Sequence, residues 1–185
     1  VSIGVGASQQ PVAGPLIIAA ILGIVLCAML WWVYFDVTAL AAEHRLAGTE
    51  GVERNALARD AYSYLHLPMI AGIVIMALGL KKSLGYVSGS DGHSWGDAMH
   101  GLAQWSLHAG PALYLIALVL FRYRNVRTLG RSRPIAAAIL LATIPAGAAI
   151  ATLWDLTLVT AILVALVGFE AIRFRETRHH IRYGH

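Results

Sequence analysis

Five stretches of this chain carry no charged side chain, and they limit what it can fold into more than any other feature. They are residues 1–35, 61–80, 98–121, 134–154 and 156–169. Four of them reach the roughly 20 apolar residues that a helix needs to cross the hydrocarbon core of a membrane. Inside a bilayer the backbone must satisfy its own hydrogen bonds, which favours helices over open strands. We therefore predict an all-α, polytopic transmembrane helical bundle.

Composition supports the same class. The chain of 185 residues is 58% hydrophobic and 13% charged, with a mean hydropathy of +0.66. Soluble domains carry about 25% charged residues, so this chain has too few charges to cover a soluble surface. We predict one transmembrane domain over residues 1–185, with about five spans near residues 15–36, 61–80, 100–122, 134–151 and 154–173.

The basic residues are divided unequally between the two sides of the predicted membrane. One side holds Lys81 and Lys82, and the other holds twelve arginines. The arginines are Arg45, Arg54, Arg59, Arg122, Arg124, Arg127, Arg131, Arg133, Arg173, Arg175, Arg178 and Arg182. The positive-inside rule places the arginine side, and with it the C-terminus, in the cytoplasm. The net charge of +4 then follows from topology and requires no nucleic-acid partner; the lipid bilayer is the partner that we expect.

Polar side chains occur at helical spacing around the third predicted span. Asp97, His100, Gln104 and His108 follow one another at intervals of three, four and four residues, which places them on one face of a helix. Lipid does not solvate such a face, so it must contact protein or water. Two interpretations remain open: a path for protons or a substrate, and hydrogen bonding between helices.

His66 is the corresponding polar residue of the second span, and Pro68 follows it. At a rise of about 1.5 Å per residue, His66 and His108 differ in depth by ~12 Å. Two nitrogens that bind one metal lie only about 4 Å apart, because each bond is near 2 Å. The separation argues against a metal or haem iron shared by these histidines, and it favours a relay across the membrane.

Charged residues at the predicted cytoplasmic ends of the first two spans are candidates for the opening of such a path. They are Asp36, Arg59 and Asp60; the alternative interpretations are an ion pair, or a helix N-cap formed by Asp60. His93, Asp97 and His100 have spacings that a metal ion could use, but no fourth ligand accompanies them, and we predict no metal site.

The last two spans contain features that packing alone can explain. Ala138, Ala142 and Ala146 recur every four residues, which predicts a close helix contact. Pro145 predicts a kink. We interpret Asp155 as a residue of the hairpin between these spans, and Glu170 as a partner of Arg173.

Four phrases occur in order along the first two thirds of the chain: "VSIGVGA" at the start, "LWWVYFD" at 30–36, "RDAYSYLHLPMIAGIVIMALGLKK" at 59–82 and "HAGPALYLIALVLFRYR" at 108–124. Together they resemble the bacterial low temperature requirement protein A family. The resemblance implies a multi-pass protein of the bacterial inner membrane, and one longer at its N-terminal side. In the family a Gly-Glu-Ser run precedes the phrase that matches "VSIGVGA", so a membrane-embedded Glu is missing here. The resemblance carries no settled activity.

Three functions are compatible with these observations. The first is transport, or the proton-coupled movement of a small solute or ion, along a path that includes His66 and His108. The second is a redox protein whose histidines hold haem or another cofactor. The third is a non-catalytic subunit of a homo-oligomer or larger membrane complex. We find no nucleophile triad, phosphate loop or zinc-protease motif, so an enzyme is the less favoured class, and the sequence names neither cofactor nor solute.

Overall fold

A computed structural model describes residues 14–36, 38–90 and 92–173. The phrase "VSIGVGA" and the tail from residue 174, with Arg175, Arg178 and Arg182, lie outside the described residues. Within these ranges the regular structure is helical throughout. The helices are α1 (Gly14–Phe35), α2 (Thr38–Ala47), α3 (Gly51–Ala58), a π-helix (Arg59–Tyr64), α4 (His66–Ser88), α5 (Leu102–Val126), α6 (Ser132–Ala142), α7 (Ile144–Gly147) and α8 (Thr152–Arg173). The all-α prediction is confirmed.

Four helical stretches in the described ranges are long and apolar enough to cross a membrane. They are Gly14–Ala47, Gly51–Ser88, Leu102–Val126 and Thr152–Arg173. The fourth predicted span is not one continuous helix, because it consists of α6 and α7, separated at Thr143. Pro145 lies in the first turn of α7, where its missing N–H interrupts the backbone bonding that a continuous helix would require.

A π-helix joins α3 to α4 directly before His66. Pro68 has no N–H, so the carbonyl of Tyr64 has no α-helical donor. In the π-helix before it, the N–H of Leu65 donates to Asp60 O at 3.1 Å, five residues back. Such turns are rare and occur often at functional sites.

The most extensive contact in the bundle is between α4 and α5. Glycines make it close: a Cβ atom on Gly72 would lie 2.8 Å from Gly110 O, and one on Gly79 would lie 2.5 Å from Leu107 N. Small residues let the backbones of membrane helices approach in this way. His66 on α4 and His108 on α5 therefore lie on one closely packed pair of helices.

Two ends of the bundle can be recognised from side-chain contacts. At the arginine-rich end, Arg124 of α5 bonds to Asp60 of the π-helix, and Arg133 of α6 bonds to Glu170 of α8. At the opposite end, Thr152 donates through N and Oγ1 to Asp97 O, at 2.9 and 2.8 Å. These two groups of contacts distinguish the two ends of the bundle.

One packing prediction is wrong. Ala138, Ala142 and Ala146 are exposed, whereas Ala137 and Leu140 are buried. Helix α6 is turned by its bonds to α5, since His108 approaches the carbonyl of Leu140. The four-residue alanine spacing therefore marks the outer face of α6.

Candidate functional site

A buried pair, His108 and Asp155, joins α5 to α8. Nε2 of His108 lies 2.8 Å from Oδ1 of Asp155, and the two side chains are 0% and 1% exposed. His108 is in the second turn of α5, and Asp155 is in the first turn of α8. An acidic and a basic side chain thus meet inside the bundle with almost no access to solvent. Asp155, which the sequence suggested only as a hairpin residue, is a central member of this site.

The second ring nitrogen of His108 also contacts two oxygen atoms. Nδ1 lies 3.1 Å from Leu140 O and 3.2 Å from Thr143 Oγ1. The carbonyl of Leu140 can only accept, whereas the hydroxyl of Thr143 can also donate, so these contacts suit either tautomer of His108. With its hydrogen on Nε2, His108 donates directly to the Asp155 carboxylate; with its hydrogen on Nδ1, the contact between Nε2 and Oδ1 requires a second proton. The Nε2–Oδ1 contact is therefore a position at which the pair could take up a proton.

Asp155 keeps one oxygen without a partner. Its Oδ2 atom is buried and has no hydrogen bond to any residue that the structure describes. A buried acceptor without a hydrogen-bond partner is costly, and Oδ2 is the one unsatisfied atom of this pair among the described residues.

Residues beside the break between α6 and α7 line the site. Nε2 of Gln104 donates to Ile144 O at 2.8 Å, next to the break. A Cβ atom on Gly147 of α7 would contact Asp155 Oδ1 and would lie 2.7 Å from Gln104 Nε2. Glycine is thus the residue that fits at position 147 beside the carboxyl group.

The predicted helical face from Asp97 to His108 is wrong in its first half. Helix α5 begins at Leu102, and Gly101 precedes it with a φ of 70°, a backbone conformation that favours glycine. Asp97 and His100 are both exposed on the irregular segment before the helix, and Asp97 Oδ2 accepts from the N–H of Ser94 at 2.6 Å. Only Gln104 and His108 of the predicted face lie on α5.

His66 lies in a second polar group, close to the arginine-rich end. Its Nδ1 is 3.0 Å from Ala61 O, and its Nε2 is 3.1 Å from the hydroxyl of Tyr34. Rings enclose it: Tyr62 is stacked with a centroid distance of 5.6 Å, and Phe121 is edge-on at 5.2 Å. Ala61 O can only accept, so Nδ1 carries the hydrogen and Nε2 of a neutral His66 accepts from Tyr34.

The two histidines are held in different parts of the bundle. The described contacts of His66 come from α1, α5 and the π-helix. Those of His108 come from α6, α8 and Thr143. Each histidine has both ring nitrogens within hydrogen-bond distance of neighbouring atoms. The residues that the structure describes also contain no group of three or more His, Cys, Asp or Glu suited to a metal ion.

Asp60 is the centre of the charged group predicted at the cytoplasmic ends. It accepts from Arg59 at 3.0 Å and from Arg124 at 3.1 Å. The N-cap interpretation of Asp60 is wrong, because Asp60 is the second residue of the π-helix and Leu65 precedes α4. Asp36 lies directly after α1, at the same end of the bundle, and its N–H donates to Trp32 O at 3.0 Å.

A buried ion pair between α6 and α8 was not predicted from the sequence. Arg133 donates to both carboxylate oxygens of Glu170, to Thr38 Oγ1 at 2.8 Å and to Val33 O at 3.2 Å. Arg133 joins Glu170 to α1 and α2, a role that the predicted pairing of Glu170 with Arg173 did not include. A charge next to an apolar run needs an opposite charge nearby, and that rule pointed to such a partner.

Comparison with protein families identifies the family of this chain. The family described as bacterial low temperature requirement A protein (LtrA) matches residues 1–168. The chain belongs to the LtrA family. Neither the curated proteins nor the solved structures contain a match to it. The match to the LtrA family spans both histidines and Asp155, and it ends two residues before Glu170. This LtrA member is therefore a bacterial membrane protein with several spans.

Proposed function

We propose that this LtrA chain moves protons, coupled to a small solute or ion, across the bacterial inner membrane. The observation that supports the proposal is the buried His108–Asp155 pair. Its two groups lie within hydrogen-bond distance of each other, in two segments that are each long enough to span the membrane. Ionisable residues at such positions are costly and commonly belong to proton relays or substrate paths.

The helix break beside the pair suits a transport role. Discontinuous helices line the binding sites of many transporters, because their exposed carbonyls and helix ends can bind ions or substrates. Here the carbonyls of Leu140 and Ile144 bond to His108 and Gln104. A shift of α7 relative to α5 would break or lengthen these bonds. It would also move Gly147 and so change the space next to the carboxyl group of Asp155. Proton release would then be coupled to a movement of the helix.

The other residues of the predicted path lie towards the two ends of the bundle, where a path would open to water. His66, hydrogen-bonded to Tyr34, is the second titratable group, nearer the arginine-rich end. Asp36, Arg59 and Asp60 lie at that end, where we propose the cytoplasmic opening. Asp97 and His100 are exposed at the opposite end, and we assign them to the external opening.

Removal of either member of the pair should stop proton movement. We expect His108→Gln and Asp155→Asn to slow proton flux roughly 10²-fold or more, since loss of a proton-transferring group has effects of that size. The purified protein is reconstituted in liposomes with a pH-sensitive dye inside, and a potassium gradient with valinomycin drives protons inward. Internal acidification is recorded for each variant.

A matched control is His44→Gln, because His44 is exposed on α2 and belongs to neither polar group. This variant should acidify the liposomes at the wild-type rate. The proposal fails if the wild-type protein acidifies liposomes no faster than empty vesicles do, both without added solute and with every small ion and solute tried, or if Asp155→Asn transports at the wild-type rate.

The main competing function is a non-catalytic subunit of a homo-oligomer or larger complex. One observation favours it: Gln104 and His108 bond directly to backbone carbonyls of the neighbouring helical segment, which is what residues that only lock helices together do. In that case His108→Gln would leave every transport measurement unchanged, and the protein would purify together with its partner subunits.

A further inference from the structure

A groove opens between α1 and α4 on the outer side of the bundle. It encloses about 440 Å³, within the ~300–1,000 Å³ typical of ligand pockets. Trp31, Phe35, Ile70 and Ile73 form its outer walls and are between 42% and 57% exposed. Both helices belong to candidate spans, so the molecules that can reach this groove are those dissolved in the bilayer.

The groove is polar at one end. Tyr34 and His66, which are hydrogen-bonded to each other, line it near the arginine-rich end, and Met76 lines it further along α4. The ten residues from His66 to Met76 span about 15 Å at 1.5 Å per residue. An apolar chain that lies along this length would have its polar end beside Tyr34 and His66.

A positively charged cluster follows beyond the polar end. Phe121 contacts His66, and Arg124 lies one helical turn further along α5. Arg124 and Arg59 both bond to the carboxylate of Asp60. Two cations share one anion in this trio, so it has a net charge of +1, and the side chain of Arg59 is 60% exposed.

We propose that the groove binds an anionic phospholipid from the leaflet at the arginine-rich end. One acyl chain lies along the groove, the ester region lies beside Tyr34 and His66, and the phosphate lies against Arg59 and Arg124. The charge cluster selects this occupant, because an uncharged apolar molecule would leave its net positive charge unmatched. The lipid contact shares His66, Arg59 and Asp60 with the proposed proton path but uses neither His108 nor Asp155. The lipid-retention experiment below can therefore fail without affecting the result of the proton-flux experiment.

Native mass spectrometry of the detergent-purified protein tests the head-group contact. Phosphatidylglycerol and phosphatidylcholine with the same acyl chains are added in separate titrations. We expect the anionic lipid to be retained about fivefold more strongly, the factor that one net charge near a membrane surface supplies. Arg124→Gln should remove this preference, and Asp60→Asn should increase it, because the net charge of the trio falls in the first variant and rises in the second.

The exposed Arg54 provides the control for charge, since Arg54→Gln removes the same charge outside the cluster and should leave the preference unchanged. Equal retention of both lipids by the wild type would overturn the proposal. So would a parallel loss of lipid in Arg124→Gln and Asp60→Asn, because that result would show that the ion pairs act only on stability.

A second pair of variants tests the groove itself. Ile73→Trp places a larger side chain in the groove and should lower phosphatidylglycerol retention at least about fivefold. Val164→Trp adds the same side chain to an exposed position of α8 outside the groove and should have no effect. Unchanged retention in Ile73→Trp would overturn the proposal, as would delipidated wild-type protein that forms dimers in which a second copy covers the groove.

Discussion

Gly110→Ala is expected to prevent the close contact of α4 with α5 and to destabilise the protein severely. A Cβ atom at position 110 would contact the backbone N of Met76 and would lie 2.7 Å from Met76 Cα. These are backbone atoms, which cannot change rotamer as a flexible side chain can, so the overlap is relieved only if the two helices separate. We expect a loss of roughly 3 kcal/mol or more, at or above the upper end for overpacking, and a Tm lower by at least about 6 °C.

The control for this substitution is Gly168→Ala on α8. Nothing lies within 4 Å of a Cβ atom built on Gly168, and alanine is favoured over glycine by roughly 1 kcal/mol within a helix. This variant should therefore match or exceed the wild-type Tm in detergent. Equal Tm values for Gly110→Ala and Gly168→Ala would show that α4 and α5 are not packed backbone to backbone.

The spans could be predicted from the sequence because each is an uncharged run with charged residues beside it. Helix α1 ends at Phe35, where the first run ends, and α8 ends at Arg173. The fourth run contained one sign of its break, Pro145, which predicts a kink. Its other residues gave none, because alanine, isoleucine and leucine are equally apolar in a continuous helix and in two short ones. The bonds that His108 and Gln104 of α5 make beside the break connect distant parts of the chain and have no local pattern.

The site could be predicted only in part, because its members come from distant parts of the chain. Periodicity identified His108 and Gln104 correctly as inward-facing residues of α5, and both are buried. The same periodicity wrongly placed Asp97 and His100 on the helix, because a pattern of spacings does not show that the helix begins only after Gly101. Asp155 lies 47 residues after His108, and no local pattern connects the two.

Glu170→Gln is expected to cause a loss of stability of similar size, by leaving the Arg133 guanidinium in the interior without its carboxylate. The side chains of Arg133 and Glu170 are only 5% and 11% exposed. Breaking a buried ion pair by removing one partner costs about 3–5 kcal/mol. A loss of that size lowers Tm by roughly 6–20 °C for a domain of this length, measured as thermal unfolding in detergent.

Two controls separate burial from charge in that experiment. Glu53→Gln removes one partner of the exposed Arg45–Glu53 pair. Its N–O distance of 3.1 Å is close to the 3.0 Å of the buried pair, and exposed pairs contribute at most about 1 kcal/mol. The double variant Arg133→Met with Glu170→Leu removes both charges and should regain most of the lost stability, since apolar replacements of buried pairs are often neutral. If the double variant is as unstable as Glu170→Gln, the bonds from Arg133 to Thr38 and Val33 contribute more than the ion pair. The junction of α1 and α2 would then depend on the guanidinium itself, with the carboxylate serving only to orient it.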